Sequence, residues 1–178
     1  MLILQLMTLR LIFFCIALTW TVYPVFAENA VITKIQTHAE KCSQAFLDER
    51  YDLLVDYTHP KIVKMMGGRE KMIQRITKGS KEIFSGDFAI QKVSIGTPQI
   101  PEVVGDSLLS IVPQSQNIKT PEGILKLDSH LLAISEDNGE RWYFIDIGPI
   151  NQSQFEQLFP EYAKAISLPE KTRPQLAR

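Results

Sequence analysis

The chain has little cysteine and little histidine. Its 178 residues include two cysteines, Cys15 and Cys42, and three histidines. Cys15 lies in an N-terminal apolar run that we expect to be removed, which leaves Cys42 alone and excludes an intrachain disulfide. One cysteine excludes a cysteine-based zinc site, and scattered histidines form no metal motif. Cys42 lies on an apolar helical stripe, which favours a small buried side chain over a nucleophile. We therefore expect neither a metal nor a cofactor.

The chain also lacks an excess of either charge and any basic block. It carries 19 basic and 20 acidic residues, with a net charge of -1. This balance argues against binding to nucleic acid or to an anionic membrane surface. There is no glycine-rich phosphate loop and no Gly-x-Ser-x-Gly elbow, so nucleotide binding and serine hydrolysis are not indicated.

The first 27 residues have the pattern of a secretory signal. Arg10 is the only charge before Glu28, and the run LIFFCIALTWTV follows it. The run is shorter than the ~20 apolar residues of a spanning helix, which favours a cleaved leader over a membrane anchor. We expect a cut after Ala27, a start at Met1 or Met7, and a periplasmic or secreted protein with no membrane attachment after cleavage. The lack of disulfides favours the bacterial periplasm.

The next part of the chain has the period of helices. Apolar residues at alternating spacings of three and four predict a helix over 30–48. They are Ile32, Ile35, Ala39, Cys42 and Phe46. Residues 53–57 either extend this helix or begin a second one. Pro60 ends that segment and begins a short helix over 61–66, because proline disfavours helix at the residue before it. Gly67-Gly68 stops the short helix, and a further helix is expected over 69–84.

From residue 88 the apolar period changes to two, which predicts strands. We expect strands over 88–95, 107–112, 124–135 and 141–147. Residues 114–123 are expected to be a hairpin loop, and Asn138-Gly139 marks a second turn. Because the strands follow one another closely, the sheet should be antiparallel. A late helix is expected over 152–166 with a break at Pro160, before a proline-rich charged tail.

Helices followed by an antiparallel sheet is the order of the nuclear transport factor 2-like superfamily. The segments DLL at 52–54, YTHP at 57–60 and MGGREKM at 66–72 resemble the helix–corner–helix segment of exported bacterial members. The segment RWYFID at 141–146 resembles their final strand.

The resemblance covers residues 32–148. It implies an α+β, cone-like fold of N-terminal helices packed on a strongly curved antiparallel sheet. Residues 1–27 would be the signal peptide, 28–150 the domain, and 151–178 a C-terminal helix and tail. The superfamily includes isomerases, dehydratases and hydrolases that use an Asp or a His–Asp pair in an apolar cavity. It also includes members that only bind or dimerise, so resemblance alone assigns no activity.

Two residues are candidates for acid–base chemistry. Asp146 shares a strand face with Trp142 and Phe144, so it is either a pocket carboxylate or a strand-end acid that accepts a neighbouring backbone N–H. His59 is either a general base at the pocket mouth or a corner residue that caps a helix. Tyr57 either offers its hydroxyl to the pocket or only packs. Together these five residues are the predicted ligand pocket.

A second polar group lies on the third predicted strand. Lys126, Asp128 and His130 share one face of it and would form an acid–base group if that face lined the pocket. Their positions favour the outer face, because the leucines on the other face belong in the core. Those leucines are Leu125, Leu127 and Leu131.

Three functions remain open at this point. The first is an exported domain that binds a small apolar or amphipathic molecule, or serves as an interaction module, without established catalysis. The second is a cofactor-independent isomerase, dehydratase or hydrolase with Asp146 or His59 as base and Tyr57 as donor. The third is a structural homodimer that pairs through the outer sheet face. The sequence favours a protein that is not an enzyme.

Overall fold

The computed structural model describes residues 23–84 and 86–176, and the first 22 residues of the predicted leader lie outside this part. In the described part, four helices precede the sheet. They are α1 (Tyr23–Leu47), α2 (Tyr51–Tyr57), α3 (Pro60–Met65) and α4 (Arg69–Ile83). Helix α1 begins before the predicted cut after Ala27. No helix in this part of the chain combines the length and the apolar character needed to cross a membrane.

The breaks between the short helices follow from proline and glycine. Pro60 is the first residue of α3, where its missing N–H leaves no helical bond unmade. Gly67 and Gly68 separate α3 from α4 with φ values of 91° and 94°. Residues with a Cβ rarely adopt this left-handed region, so the glycines allow the chain to turn sharply. The predicted proline corner and glycine break are confirmed.

The sheet has six strands in the described chain, and every pairing is antiparallel. They are β1 (Ala89–Ile95), β2 (Glu102–Val104), β3 (Ser107–Thr120), β4 (Gly123–Ser135), β5 (Tyr143–Asp146) and β6 (Gln175–Leu176). The order is β1-β3-β4-β5, while β2 also pairs with β3 and β6 with β4. Helices with an antiparallel sheet confirm the α+β prediction, and β2 and β6 were not predicted.

The prediction that Pro113 ends the second long strand was wrong. Strand β3 continues to Thr120, and Pro113 pairs with His130 of β4. The carbonyl of Pro113 accepts a hydrogen bond from the N–H of Gly96, just beyond the end of β1. Proline is tolerated here because the neighbouring strand ends opposite its nitrogen, where a ladder donor is not needed. The predicted loop over 114–123 is therefore mostly strand, with a tight turn between Thr120 and Gly123.

The two faces of the sheet carry separate cores. Adjacent strand residues point to opposite faces, so Leu131 and Leu132 of β4 enter different clusters. We call the face under α1 the α1 face. Its buried cluster is Ile35, Ala39, Cys42, Val112, Leu131, Ala133, Trp142 and Phe144.

The other face is covered by helix α5 (Gln152–Leu158) and the turns after it, and we call it the α5 face. Its cluster is Leu109, Ile111, Leu132, Ile134, Ile145, Ile147, Phe155, Phe159, Tyr162 and Ile166. Helix α5 starts with a capping box between Asn151 and Gln154. It ends before Pro160, so it is shorter than the predicted helix over 152–166, because proline disfavours helix at the preceding residue.

Candidate functional site

A cavity of about 530 Å³ lies mainly between the helices and the α1 face of the sheet, and beside β5 it also reaches Ile145, Ile150 and Leu158 of the α5 side. Helix α1 contributes Cys42 and Phe46, while Leu131 and Phe144 line it from the sheet. Helix α4 buries only Met72, so its packing leaves the space below it unfilled. Ile83, also in the lining, is 63% exposed, so the cavity is open to solvent at the end of α4.

The walls of this cavity are mainly apolar, with a few polar groups. Gln114 is buried, and its amide donates to the hydroxyl of Ser129 over 2.9 Å. Thr58 lines the cavity too, and its hydroxyl donates to the carbonyl of Leu54 over 2.9 Å. Among the described residues of the lining, Asp146 is the one carboxylate, and none is a lysine, arginine or histidine. The cavity is thus an apolar space with a single acid.

Asp146 is held at the end of β5, opposite Leu131 of β4. Its Oδ1 accepts a hydrogen bond of 2.9 Å from the N–H of Gly148. Burial raises the pKa of this carboxyl above its ordinary value, and the bond from Gly148 opposes the rise. Asp146 is nevertheless exposed, so water reaches its carboxyl from the open side of the cavity. Asp146 therefore both accepts a neighbouring backbone N–H and lines a cavity.

Asp146 also borders a second cavity, of about 290 Å³, between β4 and the C-terminal tail. The other titratable residues in its lining are Asp128, His130, Glu170 and Lys171. The Lys171 ammonium donates to the carbonyl of Pro149 over 2.8 Å, and no ion pair joins it to Asp146 in the described chain. The Asp146 carboxylate therefore lies between two cavities, and no described basic residue forms an ion pair with it.

His59 lies outside the main cavity. The residue is buried at 4% exposure, and its ring packs edge-on against Tyr143 and Phe159 with ring centres 6.0 and 5.4 Å away. Its Nδ1 accepts from the N–H of Lys61 over 3.3 Å, which caps α3. Burial lowers the pKa of His59, and the carboxylate of Glu136, 3.7 Å from Nε2, opposes this. These contacts fit a corner histidine and give no access to the cavity.

Of the three remaining residues of the predicted pocket, one lines the cavity and two lie outside it. Phe144 lines the cavity, whereas Tyr57 and Trp142 do not. Trp142 is fully buried and donates through Nε1 to the carbonyl of Gly139 over 3.2 Å. Tyr57 is half-buried, with its ring 6.0 Å from that of His38. Of the predicted pocket, the structure brings Phe144 and Asp146 to the cavity.

The polar group on β4 lies on the side of the strand away from Leu131. Lys126 and Asp128 form an ion pair of 3.1 Å at the surface. Hydrogen bonds from Ser115 and then from Lys126 hold the pKa of Asp128 below its ordinary value. His130 alternates with Leu131 and so faces the other way. This group offers no acid–base pair to the main cavity.

Several lining residues were missed by sequence reasoning. They are Cys42, Ser43, Phe46, Gln114 and Gln116. The glutamines were placed in a loop because Pro113 was taken as a strand end. The signal that would have found them is the continued alternation past the proline, since Val112, Gln114 and Gln116 share one strand face.

A wider surface groove of about 740 Å³ lies beside α3 and α4, lined by Asp56, Lys64, Arg69 and Arg141. The guanidinium of Arg69 already pairs with the carboxylate of Asp56 and donates to the carbonyl of Asp52. The guanidinium of Arg141 donates to the Tyr143 hydroxyl over 3.4 Å. Since both guanidinium groups have partners within the protein, the smaller apolar cavity is the better candidate site.

The described residues contain no group of three or more His, Cys, Asp or Glu side chains placed to hold a metal ion. Comparisons with known proteins add no family. No protein-family model matches the chain, and no curated protein matches it significantly.

Proposed function

We propose that the chain is an exported domain of the nuclear transport factor 2-like type that binds a small apolar or amphipathic molecule in the α1-face cavity. The observation that carries the proposal is an apolar cavity of about 530 Å³ with one carboxylate in its wall. Small-molecule sites typically have volumes of about 300–1,000 Å³, apolar walls and few polar groups. The cavity has each of these properties.

Two contacts support the nuclear transport factor 2-like part of the proposal. The corner segment at 57–60 and the strand at 141–146 carry the resemblance, and they touch one another. Thr58 pairs with Phe144 in an isolated parallel bridge. The N–H of His59 donates to the carbonyl of Phe144 over 3.3 Å. The corner therefore fixes the helices against β5, where a cone-like fold would need it. Export rests on the leader pattern of residues 1–27.

A second candidate function is cofactor-independent acid–base chemistry on Asp146. The observation in its favour is the raised pKa of this carboxyl in an apolar cavity, a property of general bases. Binding is preferred because the described lining includes no histidine or tyrosine that would serve as the partner acid. Isomerisation, dehydration or hydrolysis of a bound ligand that is lost in Asp146→Asn would favour the enzyme.

The homodimer through the outer sheet face stays a prediction. Helix α5 and the turns after it already cover much of that face, including Leu132 and Ile134. The part beside Lys126 and Asp128 is polar and exposed. Light scattering in solution would test this pairing, and a strict monomer would exclude it.

Native mass spectrometry of the protein purified from its own host tests the binding function. Val93→Trp is the informative variant, because Val93 lines the cavity from β1 and a larger ring there would take up part of the cavity volume. Lys92→Trp is the matched control, because Lys92 is its exposed neighbour on the other face of the strand. We expect a retained small molecule in wild type and in the control, and its loss in Val93→Trp. A ligand retained equally by all three proteins would place binding elsewhere.

A further inference from the structure

The Asp146 carboxylate is short of partners for a charged group. Its Oδ1 accepts from Gly148, and among the described residues no donor lies within hydrogen-bond distance of Oδ2. No described lysine, arginine or histidine forms an ion pair with it. The other titratable group of the lining is Cys42, whose thiol pKa burial raises to about 12, so it stays neutral. The cavity thus presents one negative charge without a counter-charge.

Asp146 is exposed, so water hydrates its carboxylate in the empty cavity, and a bound ligand that displaces this water must replace it with a donor or a cation. A ligand with a protonated amine supplies both, because an ammonium group carries a positive charge and several N–H donors. An alcohol supplies one neutral donor, and a carboxylate ligand adds a second negative charge. The apolar lining, with Phe46 and Leu131, would hold the hydrocarbon part of any of the three.

We propose that the cavity selects amphipathic amines: molecules with an apolar body and a protonated amine that donates to Oδ2 of Asp146. This inference rests on the proposed ligand-binding function and narrows it to one class of ligand. The walls supply affinity for the apolar body in proportion to the area buried, and Asp146 supplies the discrimination between head groups.

The test compares three probes of equal chain length below their micelle concentrations: decylamine, decanol and decanoate. Their affinities for the full chain are measured by isothermal titration calorimetry at pH 7.5. We expect decylamine to bind at least about tenfold more tightly than decanol, and decanoate most weakly, because charge-assisted hydrogen bonds are the stronger ones.

Two variants test whether Asp146 causes the preference for decylamine over decanol. Asp146→Asn keeps the side-chain shape and an oxygen for the Gly148 N–H, so it should fold and still bind decanol, with the preference for decylamine lost. Asp128→Asn is the matched control, because it removes the same charge from an exposed position on β4 that does not line the main cavity. The control should keep the full preference for the amine.

The outcomes distinguish a failure of amine selection from a failure of ligand binding in the cavity. Equal binding of decanol and decylamine by wild type, or a preference that survives in Asp146→Asn, overturns amine selection and leaves an apolar binding cavity. Binding of no probe by wild type, or equal binding by wild type and Val93→Trp, overturns the binding cavity itself.

Discussion

The two faces of the sheet are covered in different ways. On the α5 face, Phe155, Phe159 and Tyr162 stack in succession, with ring centres 5.7 and 6.0 Å apart. On the α1 face, a cavity of about 530 Å³ remains beside the buried cluster. Strands β3, β4 and β5 contribute to both faces, so the difference comes from what covers them.

The covering segments explain this difference. The α5 segment brings large aromatic side chains directly onto the sheet, and Phe155 and Phe159 are fully buried. Helices α2, α3 and α4 are separated by a proline corner and a glycine pair, and α3 buries no residue. These helices bury few side chains, and residues of each of them line the cavity. The α5 face therefore contributes stability, and the α1 face retains room for a ligand.

The largest effect on the free energy of unfolding is expected on the α5 face. Phe159→Ala should lower the free energy of unfolding by about 3–5 kcal/mol, because it opens a cavity where the ring packs against Phe155, Tyr162 and His59. Urea denaturation followed by the fluorescence of Trp142 would measure the loss. A loss below about 1 kcal/mol would mean that this face is not the tightly packed one.

A matched pair on β4 compares the faces directly. Leu132→Ala, on the α5 face, should cost about 3–5 kcal/mol, since nothing can fill the space it leaves. Leu131→Ala should cost nearer about 2 kcal/mol, because this side chain already borders the open cavity. Both values come from denaturant unfolding of the same protein. Equal losses would show that the α1 face is as densely packed as the other.

A smaller effect is expected at the start of α5. Asn151→Ala should cost about 1 kcal/mol, because its side chain accepts from the N–H of Gln154 and caps the helix. Ser153→Ala, two residues further along the chain and exposed, is the control and should change little. Thermal unfolding would compare the two. A control that destabilises as much as Asn151→Ala would contradict the capping role.

The smallest effect concerns pH. The pKa of His59 is lowered in the folded protein, so below its unfolded value of 6.5 the unfolded chain binds more protons. Stability should therefore fall as the pH drops from about 6.5 to the folded pKa of this histidine. His59→Gln should reduce this dependence, as measured by urea midpoints from pH 7.5 to pH 5. Glu136, Lys61 and Glu161 act on His59 and remain in the variant. An unchanged slope would assign the effect to other groups, such as His38, whose pKa burial also lowers.

The fold was more accessible from the sequence than the site. Breaks at Pro60 and Gly67-Gly68 were predictable because their causes are local: a fixed φ and a positive φ. The error at Pro113 has a tertiary cause, since a proline is acceptable inside β3 only where the neighbouring strand has ended.

For the site, too, features with a local cause were predictable and features with a tertiary cause were not. Asp146 was a candidate because an acid after alternating aromatic residues at a strand end is a local pattern. Cys42 and Leu131 could not be assigned to a cavity from the sequence. Any apolar residue on a helical or strand stripe is predicted to be a core residue. Whether the space beside such a residue is filled depends on how α2, α3 and α4 pack against the sheet. His59, beside Pro60, had two local interpretations, and the hydrogen bond from the Lys61 N–H to its Nδ1 fits the capping one.

The central claim is that ligands bind on the α1 face and not on the α5 face. The most direct measurement is the change in backbone ¹H–¹⁵N NMR shifts of the full chain on titration with decylamine. We expect the largest changes at lining residues such as Cys42, Leu131 and Asp146, and little change at Ile134, Phe155 and Phe159. Changes centred on the α5 face, or no saturable change anywhere, would contradict it.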